Sequence, residues 1–218
     1  MGKEQKLKTA LIQSITDYVR LNHAGAIDKA YEYFWDEHEP DEFLSGTALT
    51  LGFINFEDWL LFDYKVNSDN DTFIDVYARN CSELKEEEKD LLCRIKDSRL
   101  SLYEVSSVSR EKRILLKDLL MGGEFELKEK VLTKGLKKGD LFATRLLMLD
   151  GKSVMSGCVY PFKTGHKKKA LAYIDRQFGR YKRNESPEGN MKGFLKDYGD
   201  VFNMAWMSTI LAQLDEKV

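Results

Sequence analysis

"LKKGDLFATRLLMLDGKSVMSGCVYPF", residues 136–162, places Asp150-Gly151 between two apolar runs. Asp-Gly accommodates the left-handed conformation that a two-residue hairpin turn demands, and flanking apolar alternation makes it the strongest short-range hairpin signal. Residues 141–149 therefore pair with residues 152–160. Working back from this hairpin, "EFELKEKV" alternates, with Phe125 and Leu127 inward and Glu124, Glu126 and Lys128 outward. Gly122-Gly123 before it reads as a tight turn. "SLYEVSSVS" and "RILLKDLL" supply two more strands, with Leu102, Val105 and Val108 inward or flanking. Residues 101–162 thus predict about five strands forming a small antiparallel sheet or barrel.

The pattern on either side has the helical period of 3.6. Leu7, Leu11, Ile15, Tyr18 and Val19 define one face over residues 5–21, and a second helix spans residues 26–35 until "DEHEPDEF" breaks it. Asp71 or Thr72 can cap a short helix ending near Tyr77, and Ser82 a longer one with Leu84, Leu91, Leu92 and Ile95 inward. Beyond the strands, Leu171, Ile174, Phe178 and Tyr181 mark a helix with a basic outer side. "MKGFLKDYGDVFNMAWMSTILAQL" (residues 191–214) reads as one final, central helix, with Trp206 in the core. The expected fold is α+β: a helical body formed by N- and C-terminal helices with the small β element inserted. It is expected as one domain over residues 1–218, with subregions 1–100 helical, 101–162 β and 163–218 helical.

"FEDWLLFDYK" (residues 56–65) packs Phe56, Trp59, Leu60, Leu61, Phe62 and Tyr64 around Glu57, Asp58 and Asp63. With Asn55 as cap, Glu57 and Asp58 fall in a first helical turn, where the helix dipole favours anions. This is then a core helix whose acids have an electrostatic reason to be there.

The run "FEDWLLFDYKV", "DSRLSLYEV", "LKDLLMGGEFELKEK" and "LKKGDLFATRLL" resembles the central region of uncharacterised bacterial proteins that carry a SEC-C zinc motif. The resemblance covers roughly residues 53–162 and implies a shared helix-plus-sheet core. SEC-C proteins bind zinc through terminal cysteines. This sequence has no cysteine after Cys158, so the resemblance transfers no zinc ligand to any residue.

Composition and motifs exclude more than they assert. Three scattered cysteines fit a reducing compartment, and no window has the length of a membrane helix, so a cytoplasmic protein is expected. His23, His38 and His166 show no metal spacing, and the acids around His38 read as a solvated loop, so neither metal nor cofactor is expected. Cys93 and Cys158 have apolar neighbours and read as buried thiols. No nucleophile elbow and no phosphate-binding glycine loop occurs.

Charge is unevenly spread in a chain of net −2. Residues 28–42 hold seven acids against Lys29, a local −6, whereas residues 163–183 hold eight cations against Asp175, a local +7. Lys163, Lys167, Lys168, Lys169, Arg176, Arg180, Lys182 and Arg183, interleaved with Tyr173, Phe178 and Tyr181, could grip a phosphate backbone and stack bases. Equally, this basic face could be solvated, or pair with the acidic segment in the chain, a protein partner or a homodimer. A non-enzymatic binding or regulatory module for nucleic acid or protein is the leading expectation. The alternative is a small enzyme with a carboxylate-containing cleft between the helical body and the β subregion, using Asp58 and Asp63 together with Arg99 or Arg145.

Overall fold

The computed structural model describes residues 2–128 and 132–215, with side chains placed through residue 210. The chain divides into two compact units. One comprises Met1–Ser98 with Leu147–Gly151; the other comprises Arg99–Leu146 with Lys152–Val218.

The first unit is helical: α1 (Lys3–Asn22), α2 (Ala24–Phe34), α3 (Gly46–Phe62), α4 (Phe73–Asn80) and α5 (Glu86–Lys96). The α1 helix touches α2, α4 and α5 through its buried stripe of Leu11, Ile15 and Val19. The 3.6-residue period of that stripe is what made α1 readable. At its N-terminus Glu4 takes an ion pair from Arg94 at 2.6 Å and accepts from the Asp150 backbone N–H. Arg94 first, then that N–H, hold the Glu4 carboxyl below its usual range. The α2 helix ends sharply because Asp36 and Glu37 both adopt positive φ. Thr72 caps α4 as expected, with Asp75 closing a capping box through the Thr72 N–H.

Two expectations in this unit are corrected. The α3 helix begins at Gly46, with Ser45 as its N-cap residue. Asn55 is therefore a fully buried mid-helix residue, and Glu57 and Asp58 are not in a first turn. The dipole does not account for them. The start is obscured because α3 is apolar on nearly every side, so no periodic face announces it. Likewise α5 starts at Glu86 after Lys85, whose N–H bonds the Glu88 carboxylate, and not at Ser82. That helix turns Leu91, Leu92 and Ile95 inward and leaves Cys93 exposed, contrary to its reading as a buried thiol. Cys158 is buried.

The close packing of α2 on α3 depends on Gly52. A Cβ there would lie 2.7 Å from Cη2 of Trp35, a ring with 0% exposure.

The second unit is a barrel with helices. Its strands are β1 (Leu100–Ser109), β2 (Arg113–Asp118), β3 (Glu124–Leu127), β4 (Leu141–Leu149), β5 (Lys152–Met155) and β6 (Tyr160–Phe162). The order is β1-β2-β3-β5-β4, and a further β1–β4 pairing closes the ring. Asp150 and Gly151 both have positive φ, as the hairpin turn requires. All the recorded strand pairings are antiparallel save β3–β5, which is parallel through Leu127 and Ser153, so the barrel is mixed where an antiparallel one was expected. A bulge at Ser106 shifts the β1–β2 register, which lets β1 bend and serve two neighbours. Tyr103, Val105, Ile114, Leu116, Leu127 and Phe142 fill the interior. Small five-stranded Greek-key barrels include the oligonucleotide- and oligosaccharide-binding fold; such likeness of architecture assigns no function.

A buried polar lock sets the β2–β3 turn. One carboxylate oxygen of Asp118 accepts from Ser101 Oγ at 2.7 Å and from the N–H groups of Leu120 and Met121, both at 2.9 Å. Burial first, and Asp118 next, push the Tyr103 hydroxyl far above its usual range, while Arg145, fully buried, opposes the shift.

Three helices complete this unit: α6 (Lys167–Asn184), α7 (Met191–Asp197) and α8 (Val201–Asp215). The expected single final helix is broken over residues 198–200. Gly199 is a poor helix former, and Asp200 is a residue type that favours helix starts. Trp206 is buried and meets Tyr160 of β6 edge-on at 5.9 Å. Phe194 and Leu195 bury the short α7.

Gly52→Ala should lower stability, because overpacking costs about 1–3 kcal/mol against a propensity gain of about 1 kcal/mol. Thermal unfolding should show a reduced Tm, and Trp35→Phe, which removes the clashing atom, should restore part of it. Asp118→Ala should cost about 3 kcal/mol or more, since three donors lose one buried acceptor. Asp118→Asn, which keeps the accepting oxygen, should cost less; equal losses in urea unfolding would show that the carbonyl-type acceptor is not what holds the turn.

Candidate nucleic-acid interface

The division into units resolves the near-neutral net charge into two opposed parts. The helical unit has 22 Asp and Glu against 11 Lys and Arg, a net −11, and the barrel unit has 23 Lys and Arg against 14 Asp and Glu, a net +9. The acidic segment 28–42 lies in the first unit and the basic segment 163–183 in the second.

Strand register gathers part of the basic charge at one end of the barrel. Leu141, the first residue of β4, is opposite Glu104 on one side and Phe162 on the other. The turn leading into β4 bonds to β1 through Gly139 N–H to Val105 O at 2.8 Å and Val105 N–H to Asp140 O at 2.9 Å. Exposed Lys137 and Lys138 in that turn therefore share an end of the barrel with Lys163, just after β6, and with the start of α6. Lys137 and Lys138 were not singled out from the sequence, because only the β1–β4–β6 register brings them to the basic segment.

From there the charge continues along α6. Lys169, Tyr173, Arg176, Arg180 and Arg183 succeed one another at spacings of three and four, which sets them in one stripe. At 1.5 Å per residue the stripe runs about 21 Å. The opposite side buries Ala170, Ile174 and Tyr181. Arg176 lies over the Tyr173 ring at 5.5 Å, and Lys182 over Phe178 at 5.9 Å. Among the described residues, Lys168, Lys169, Arg176, Arg180, Lys182 and Arg183 are exposed and form no ion pair. Phe178 and Tyr181 are committed to a cluster with Phe194 and Tyr198, which leaves Tyr173 as the aromatic of the stripe.

Lys167 departs from the expectation that it faces water. Its Nζ is 2.7 Å from Glu104 Oε1 on β1, and its side chain is 35% exposed. The pair ties the start of α6 to the barrel, so Lys167 positions the helix rather than adding to its free charge.

The residues of the enzyme alternative fall in different units: Asp58 and Asp63 in the helical one, Arg99 and Arg145 in the barrel one. Asp58, Asp63 and Arg145 are buried, and all four already have polar or electrostatic partners. Among the described residues no group of three His, Cys, Asp or Glu side chains is arranged to hold a metal ion. No helix among them is long and apolar enough to cross a membrane.

No curated protein and no solved structure matches this chain. A family match spans residues 53–198, about two thirds of the sequence, from the second half of α3 through the barrel to the end of α7. The four segments quoted in the sequence analysis lie wholly within that range, and the family's description names no SEC-C motif. With that share of its length matched, the chain belongs to the Family of unknown function (DUF7986).

Proposed function

We propose that this protein is a non-enzymatic binding module whose barrel unit holds a nucleic-acid strand. The observation that carries this reading is the stripe of Lys169, Arg176, Arg180 and Arg183 with Tyr173 among them, its cations without an acidic partner among the described residues and adjoining a lysine-rich end of the barrel. Cations spaced along about 21 Å of helix match a polyanion better than a compact anion, which would need converging donors. Phosphate neutralisation supplies affinity by releasing counterions. An aromatic ring within the stripe supplies a stacking platform for an unpaired base. The reading thus favours a single strand over a duplex, whose bases are already stacked.

The test is fluorescence anisotropy with a labelled mixed-sequence single strand and the matching duplex, from low to physiological salt. Binding of the single strand should weaken steeply with salt. Changing Lys169, Arg176, Arg180 and Arg183 together to Gln should flatten the salt slope by roughly three, at about 0.7 for each phosphate left unneutralised on a single strand. The circular dichroism spectrum should be unchanged, since these side chains are exposed. Tyr173→Ala should cost about 1–3 kcal/mol on the single strand and little on the duplex. Absence of binding at low salt, or a slope unmoved by the quadruple change, overturns the proposal.

A further inference from the structure

The helical unit contains a cleft of about 170 Å³ between its first three helices. Val19 and Arg20 of α1, Ile27 and Tyr31 of α2, and Phe53 and Glu57 of α3 line it. Its floor is apolar, and its lip carries apolar surface into solvent: Phe53 is 42% exposed and Ile54 beside it 39%. Leu21, next to Arg20 on α1, is 84% exposed. A cavity of roughly this size takes one benzene-sized group. It therefore suits a single large apolar anchor.

The surroundings of the cleft are acidic. Arg20, the cation in the lining, is engaged by Glu57 at 3.1 Å. The Tyr31 hydroxyl donates to Glu39 at 3.4 Å. Asp28 and Glu32, each one residue beyond a lining residue of α2, are exposed, and the whole unit carries a net −11 from its 22 acids and 11 cations. An apolar slot bordered by acids complements a helix with one apolar face and lysine or arginine on the others.

We infer that this cleft docks a basic amphipathic helix of another protein, with one apolar side chain seated between α1, α2 and α3 and its cations against Asp28, Glu32 and Glu39. A second copy of this chain is a poorer occupant: its own basic helix α6 has Ala170, Ile174 and Tyr181 buried in its own unit, and so offers charge without an anchor. The inference does not depend on the nucleic-acid reading, since it concerns the other unit.

The experiment uses the full chain and a fluorescein-labelled 14-residue synthetic peptide with Leu at helical spacings i, i+3, i+4 and i+7 and Lys elsewhere. One control has the same composition with Leu spread around the helix; another has Glu in place of Lys. The amphipathic basic peptide should bind about tenfold tighter than either control, the margin of one well-placed anchor. Phe53→Ser, at an exposed lip, should fold normally and weaken binding about fivefold to tenfold. Asp28→Lys with Glu32→Lys should weaken it comparably. Equal binding of the scrambled peptide would reduce the effect to bulk charge and overturn the inference. Equal binding of the acidic peptide, or binding untouched by both variants, would do the same. Enhanced fluorescence of an apolar dye lost in Phe53→Ser, with no peptide bound, would assign the cleft to a small molecule instead. Dimerisation abolished by Phe53→Ser in sedimentation would assign it to a second copy.

Discussion

The barrel unit depends on β1 pairing along both of its edges. Residues 103–109 run against β2, and residues 100–104 run against β4. A strand can serve two neighbours at such an offset only if it bends, and the extra residue at Ser106 provides the bend. The β1–β4 pairing removes the strand edges that β1 and β4 would otherwise expose to aggregation. It also decides where charge ends up. Because β4 starts opposite Glu104 and β6 ends opposite Leu141, the lysines that flank these strands in sequence meet at one end of the barrel.

Much of this was legible because local chemistry is strong at a few points. Asp150-Gly151 and Gly122-Gly123 adopt positive φ, as turns of their kind require. Thr72 and Asp75 form a cap within four residues, the Thr72 N–H and hydroxyl both donating to the Asp75 carboxylate. Other features escaped because their cause is not local. The α3 helix has no polar face, so its start at Gly46 left no periodic signal, and buried Asn55 imitated a cap. The parallel β3–β5 closure rests on Leu127 and Ser153, which are far apart in sequence. The cleft beside Phe53 has walls from three helices, and no single segment betrays it.

The basic segment shows both sides of this limit. A local +7 is plain in the sequence. Which cations are available to a partner is not, since that depends on helix phase and on what lies opposite. Lys167 and Lys169 look equivalent in "KKKA", yet Lys167 is bonded to Glu104 while Lys169 opens the exposed stripe. Phe178 and Tyr181 already marked the inward side with Leu171 and Ile174, and they do pack on Phe194 and Tyr198, whereas Tyr173 stays beside the cations.

Segregating charge by unit has a physical consequence beyond any one site. A net of −11 and a net of +9 nearly cancel for the whole chain, so distant polyanions and polycations feel little mean charge. Within about a Debye length, roughly 8–10 Å at physiological salt, a partner responds chiefly to the charges it approaches. The same chain can then attract an anion to the barrel unit and a cation to the helical unit. Each surface also repels the other's ligand, which favours correct engagement as much as attraction does. On the two readings proposed above, one aromatic belongs to each surface. Tyr173 offers a flat ring among cations, suited to a base, and Phe53 offers the lip of an apolar slot among acids, suited to an aliphatic anchor. On those readings charge would select the class of partner, and the ring beside it the shape that stays bound.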